Sequence, residues 1–171
     1  MEEIYKQDRQ RYNERGGYIL RYLFFLRKAQ GTNSSLIRII CRVILNHYKN
    51  KYGLEIPFNT QIGPGLYLGH AFNITINGGA VIGKNCNIHK GVVIGQTNRG
   101  KNKGAPHIGD YVWIGINSAI VGNIKIGDDV LIAPNSFVNC DIPSHSIVFG
   151  NPCLIKHKEN ATEGYINRIV D

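Results

Sequence analysis

Residues 107–138 read HIGDYVWIGINSAIVGNIKIGDDVLIAPNSFV. A branched aliphatic returns there at every sixth position: Ile108, Ile114, Ile120, Ile126, Ile132 and Val138. Upstream the same spacing runs through Ile56, Ile62, Leu68 and Ile74. After two extra residues it resumes at Ile82, Ile88 and Ile94. Ile, Leu and Val together are 45 of 171 residues, so thirteen such anchors in phase are far beyond chance. A period of six is foreign to a helix, whose faces repeat at about 3.6 residues, but it is a multiple of the strand period of 2. Short strands joined by equivalent corners satisfy it. Gly follows the anchor at Gly63, Gly69, Gly83, Gly95, Gly109, Gly115 and Gly127, where corners would use backbone angles that other residues resist. Small or aliphatic residues stand four places after the anchor at Thr60, Cys86, Val92, Val112, Ser118, Val130 and Ser136. The pattern predicts a mainly β fold, a parallel β-helix of hexapeptides with its anchors stacked inward. Three hexapeptides make one triangular coil, so thirteen predict just over four coils. At about 4.8 Å per rung the stack is on the order of 20 Å long. Periodicity leaves its handedness open.

A solenoid exposes strand edges at both ends, and open edges invite aggregation. Residues 1–54 read as helices, broken into three at Gly16-Gly17 and at Gly31-Thr32-Asn33-Ser34. Asn33 or Ser34 is the expected N-cap of the last helix. Its residues Leu36, Ile40, Val43, Ile44 and Tyr48 recur at helical spacing, and that face is expected on the first coil. The chain therefore divides into a helical segment, 1–54, a β-helix, 55–151, with a loop at 96–107, and a tail or cap, 152–171.

Composition narrows the function. With 43% hydrophobic and 19% charged residues the chain is neither disordered nor fibrous. No apolar run approaches the roughly 18 residues of a spanning helix, and the polar start MEEIYKQDRQ is no secretory signal. The four Cys show no CxxC spacing, which points to a reducing cytoplasm rather than zinc or disulfides. The net charge of +8 suggests nucleic acid until it is mapped. Residues 1–54 hold 11 Lys/Arg against 4 Asp/Glu, while residues 55–171 hold 9 against 8. The excess belongs to the helices. It reads as a solvated face, with peripheral contact to an acidic partner or the inner face of a membrane left open, and with no nucleic-acid partner.

Function is expected where the ladder is interrupted. The larger interruption, residues 96–107, reads QTNRGKNKGAPH and carries Arg99, Lys101 and Lys103. The smaller is Asn77-Gly78-Gly79. His70, His89 and His107 lie about one coil apart, as a metal site would need. Their phases disagree, since His70 is two past its anchor, His89 one past and His107 one before. No metal is expected. Trp113, one place after a ladder position, reads as an outward aromatic at a subunit interface.

These residues carry a resemblance. The strings EIPFNTQIGPGLYLGHAFNITINGGAVIGKNCNI, GVVIGQT and HIGDYVWIGINSAIVGNIKIGDDVLIAPNSFV, closed by FGNPCLIK, are similar to the hexapeptide-repeat acyltransferases. Within them they most resemble the serine acetyltransferase branch. The likeness covers about 100 of the 171 residues. It implies a left-handed β-helix and a homotrimer with sites between subunits. It also implies acetyl-CoA as cosubstrate, His70 as catalytic base and Glu55 as the carboxylate that partners it. By the same likeness Gly95 and Gln96 would lie near the coenzyme A thiol. Gly115, Ile116, Ala133 and Pro134 would line the pantetheine arm, and Lys156 would approach the phosphates.

Departures from that branch concern the acceptor. The branch has an Asp before the catalytic His, where this chain has Gly69. It has Arg-His in the long loop, where this chain has Gly104 and Ala105. Without those groups serine loses its ionic anchors, each as a charged hydrogen bond worth about 1.5–3 kcal/mol. The expected function is therefore acetyl transfer from acetyl-CoA to a hydroxyl of a sugar or polysaccharide precursor in the cytoplasm. Serine O-acetylation with an altered pocket is the alternative, and a non-catalytic scaffold the third reading. Cys86 is expected to face the core, which argues against a covalent acyl-enzyme.

Overall fold

The computed structural model describes residues 2–13 and 15–171. Three helices precede the β-region: α1 (Glu2–Arg11), α2 (Tyr18–Gly31) and α3 (Ser35–Tyr52). The first coil is β1 (Leu54–Glu55), β2 (Gln61–Ile62) and β3 (Tyr67–Gly69). The second is β4 (Ile74–Ile76), β5 (Val81–Ile82) and β6 (Asn87–His89). The third is β7 (Val93–Gly95), β8 (His107–Ile108) and β9 (Trp113–Ile114). The fourth is β10 (Ala119–Val121), β11 (Lys125–Ile126) and β12 (Val130–Ile132). β13 (Phe137–Val138), β14 (Ser146–Phe149) and β15 (Leu154–His157) complete the stack. Strands stack in parallel into three faces. The first face is β1-β4-β7-β10-β13, the second β2-β5-β8-β11, and the third β3-β6-β9-β12-β14, with β15 added antiparallel. The molecule is a parallel β-solenoid of about five turns, consistent with a left-handed β-helix.

All thirteen anchors are buried, most of them completely, and so are the seven positions four places later. The ladder runs two positions further than its period shows. Ile142 bridges to Ile126, Val148 lies in β14, and both are buried. That last coil escapes a six-residue count because Ile142 follows Val138 after four positions rather than six.

The corner glycines have a different reason from the expected one. None of the seven glycines after an anchor has a positive φ. At Gly63, Gly83, Gly109, Gly115 and Gly127 they are small because rungs stack closely there: a Cβ on Gly63 would lie 2.7 Å from the Gly83 carbonyl carbon, and one on Gly115 would lie 2.6 Å from Pro134 N. The left-handed corners fall three places after the anchor, on Gly65, Asn85, Tyr111, Asp129 and His145 along one edge. Asn tolerates this conformation better than most residues, which explains Gly91, Asn117 and Asn135 along another edge.

The helices close the first coil, but through α1 and α2 rather than the apolar stripe of α3. Tyr22, Leu23 and Leu26 of α2 are fully buried. Arg27 makes a 2.8 Å ion pair with Asp8 of α1, and both side chains are buried. Arg27 also donates to the Ile62 and Gly63 carbonyls at 2.8 Å, and Leu66 N–H donates to Asp8 at 2.9 Å. Arg11 donates to the Gly65 carbonyl and to the Asn85 and Asn87 side chains. These charges satisfy backbone groups of the open edge that an apolar helix could not. Part of the basic excess of the N-terminal third thus points inward. In α3, Ser34 caps as expected, its side chain accepting from Ile37 N–H. The expected packing face is corrected: Leu36, Ile40 and Val43 are exposed. Of the expected face Tyr48 does turn inward and Ile44 is half-buried, and Cys41, Leu45 and Tyr52 join them, because α2 already occupies the base of the solenoid.

The tail does not simply cover the far end. After β15 it is latched by Asp129, which accepts from Ala161 N–H, Thr162 N–H and the Thr162 hydroxyl. It then descends the third face, where Tyr165 O accepts from Asn87 and Val170 exchanges two hydrogen bonds with Asn85.

Candidate active site

His70 follows β3 at the corner between the third and first faces. Its φ of 51° puts it in the left-handed region, one place earlier than the regular corner position, and the chain turns left-handed again at Asn73. This double turn departs from the ladder and leaves the His70 side chain exposed. The same corner rises through consecutive rungs. Lys90 N–H donates to Gly69 O, Asn117 N–H to Lys90 O, and Asn135 N–H to Ile116 O. It therefore carries, in order, His70, Lys90, Gly115 with Ile116, and Ala133 with Pro134. Gly115, Ile116, Ala133 and Pro134 thus share one edge with His70. Gly95 and Gln96 do not: Gly95 ends β7 at the next corner, and Gln96 begins the long loop and donates to Asn98 at 2.7 Å. Lys156 is exposed on β15, opposite Ile147.

Glu55 ends β1 on the outward side of the first face, directly below Thr75. Its carboxylate is joined to Lys49 of α3 at 2.6 Å, with both side chains about half exposed. Among the described residues no hydrogen bond joins Glu55 to His70. An exposed pair of this kind holds its partners weakly, with a typical worth of about 0–1 kcal/mol.

Beside His70 lies an arrangement that periodicity did not show. β3 and β6 pair Gly69 with His89. The His89 ring lies against Gly69 so closely that a Cβ there would sit 2.4 Å from His89 Nδ1. The His89 ring lies tilted against Trp113 at 4.7 Å, and Trp113 meets Tyr165 of the tail edge-on at 5.1 Å. Burial, and then the neighbouring His70, hold the His89 imidazole below its usual range. Within its own chain Trp113 is thus packed between His89 and Tyr165. The sequence signal for the contact was the 20-residue offset between Gly69 and His89, one coil plus the two inserted residues.

Other expected features resolve plainly. His107 stands on the second face, away from His70 and His89, as the phases implied. Cys86 is fully buried, and burial pushes its thiol up to about 12, far from a nucleophile's range. The long loop is pinned rather than free. Thr97 bridges Gly104, Asn123 N–H donates to Asn102 O, and the Asn102 side chain donates to Asn139 O. Ala105 packs partly against the core.

Comparison with known proteins agrees with this fold. Residues 105–140 match the family model "Bacterial transferase hexapeptide (six repeats)". Serine acetyltransferase of Staphylococcus epidermidis is 39% identical over 112 residues, covering 66% of this chain and 53% of that protein. Serine acetyltransferase 4 of Arabidopsis thaliana is 36% identical over 118 residues, 69% of this chain and 33% of its own. The solved soybean serine acetyltransferase apoenzyme has a TM-score of 0.78 at 27% identity, over 90% of this chain and 68% of that one. The chain fits the hexapeptide-repeat acetyltransferase family, near serine acetyltransferase.

This hexapeptide-repeat chain spans one third to about half of the length of these two curated relatives. The Neisseria gonorrhoeae serine acetyltransferase, solved in complex with serine, has a TM-score of 0.76 at 28% identity over 91% of this chain. Beside the His70 corner, Gly69 and the His89 ring lie in direct contact.

Proposed function

We propose that the chain is an acetyl-CoA-dependent O-acetyltransferase of the serine acetyltransferase type, with His70 as general base. The observation that supports it best is the exposed, left-handed His70 at the foot of the corner that also carries Gly115, Ile116, Ala133 and Pro134. Acetyl-CoA would lie along that corner with Lys156 towards the phosphates, and Gly95 and Gln96, on the next corner, would reach the thiol only from a neighbouring copy. A homotrimer would place the cleft between neighbouring copies.

A hydroxyl is a poor nucleophile at neutral pH and needs a base within hydrogen-bond reach. Neutral His70 takes the acceptor proton as the oxygen attacks the acetyl carbonyl. Backbone N–H groups at the corner stabilise the oxyanion. The thioester C–S bond then breaks, and His70 returns the proton to the departing thiolate. Glu55, released from Lys49, orients the imidazole and stabilises its charged form. No acyl-enzyme is formed, in keeping with the inert Cys86.

The relatives named above favour L-serine as acceptor, and none of them supports the expected sugar. One observation favours the sugar hydroxyl. The relatives' Asp position is Gly69, and the space a side chain would need there is filled by His89. The loop positions that would carry Arg-His are Gly104 and Ala105, so serine finds no ionic clamp. Thiol release from acetyl-CoA, with L-serine beside a panel of sugars, separates the two acceptors. His70→Ala should lower turnover by about 10²–10⁴-fold. Near-wild-type turnover in that variant would remove His70 from the mechanism, and an equal loss in Glu55→Gln would make Glu55 more than an orienting partner.

A further inference from the structure

The tail, the end of α1 and the third face enclose a cleft of about 200 Å³. It lies beside the His70 corner, and His89 stands between the two. Three aromatic side chains, Tyr67, Trp113 and Tyr165, form its walls. Arg11 and Arg168 bring two cations, and no Asp or Glu among the described residues lines it. Two buried nitrogens of its lining have no hydrogen-bond partner: Arg11 Nε and His89 Nε2. Arg11 is 2% exposed, and its two terminal nitrogens are already committed to Gly65, Asn85 and Asn87. Leaving such groups unsatisfied in a folded core is costly, so an oxygen-bearing ligand is their natural complement.

We propose that this cleft is a subsite for a carboxylate-bearing sugar, the part of the acceptor that places its hydroxyl at His70. This rests on the acetyl-transfer reading above. Aromatic walls suit the apolar C–H face of a pyranose ring, and a small movement of the lining would open the two uncommitted nitrogens to its oxygens. The cations and the absence of lining carboxylates suit a ligand acid. L-serine fits poorly, because its ammonium would meet two guanidinium groups and no anion. His89 is then a specificity-determining residue: it replaces an acidic side chain before His70 by a neutral ring that faces the sugar.

Trp113 is the single Trp of the chain and lines the cleft, so its fluorescence reports occupancy directly. The full chain, without acetyl-CoA, is titrated with methyl glucuronide, the methyl glycoside of sialic acid, methyl glucoside and L-serine. A saturable change with at least one acidic sugar is expected, with methyl glucoside and L-serine at least tenfold weaker. Arg168→Gln and His89→Phe should each weaken that binding by about tenfold or more. Arg168 is exposed on the tail, so its variant keeps the test valid should His89→Phe misfold. Silence of Trp113 towards both acidic sugars would overturn the proposal. So would equal binding of methyl glucoside, tighter binding of L-serine, or indifference to Arg168→Gln. Thiol release is measured in parallel. Binding without turnover of acetyl-CoA would refute acetyl transfer and leave the cleft standing. Turnover on a sugar with Trp113 silent would refute the cleft and leave acetyl transfer standing.

Discussion

At Gly69 the side chain is a single hydrogen atom, and a neighbouring ring takes the space beside it. The His89 ring occupies the space in which a Cβ would lie, 2.4 Å from Nδ1. Gly69→Ala should therefore destabilise the chain by an overpacking cost of about 1–3 kcal/mol in urea unfolding. His89→Ala in the same chain should relieve most of that cost, because the clash and its partner vanish together. Simple additivity of the two variants would show that the two residues do not share this space. Gly69→Asp alone should not raise the use of L-serine, since the new carboxylate would have to displace His89 first.

Among the elements, α2 shows how a β-solenoid can be closed by charge. Arg27→Met should cost about 3–5 kcal/mol in urea unfolding, because it strands the buried Asp8 carboxylate and frees two edge carbonyls. A loss below 1 kcal/mol would mean that water reaches this edge. The tail is held by a latch that titrates. Burial works to raise Asp129, but hydrogen bonds from Thr162, His145 and the Ala161 N–H outweigh it and hold the carboxyl below the usual range. The hydrogen bond to Asp129, and then Glu159, hold His145 above its usual range. The depressed carboxyl contributes stability above its unfolded pKa of about 3.9, and this is lost as pH falls through the folded value. The raised imidazole contributes fully below its unfolded pKa of about 6.5, and this is lost as pH rises through the folded value. Protection factors of the Ala161 and Thr162 amides should be highest between about pH 4 and 6.5 and fall on both sides. A profile flat from pH 5 to 8 would remove His145 from the latch.

For the whole molecule, each coil contacts mainly its neighbours, so stability is shared along the stack. Ile114 is fully buried in the middle coil. Ile114→Ala should cost about 2–5 kcal/mol, read as a lower urea midpoint. A cost under 1 kcal/mol would mean that the coils close up around the lost side chain.

The period of six determined the solenoid, its inward faces and even the burial of Cys86, because a stack of equal rungs repeats the same local surroundings. The position of His70 and its resemblance to a catalytic base were also legible in one dimension. The fifth coil was not, because a shortened corner breaks the count while the backbone pairing continues. The α3 face was misjudged because helical periodicity says which residues align, and not which helix reaches the solenoid first. The pairing of Glu55 with Lys49, the hold of Asp129 on the tail and the line from Gly69 through His89 and Trp113 to Tyr165 were decided by tertiary structure alone. They join residues from different coils, from the helices and from the tail. Such contacts depend on where separate segments meet in space, and no local spacing in the sequence records that.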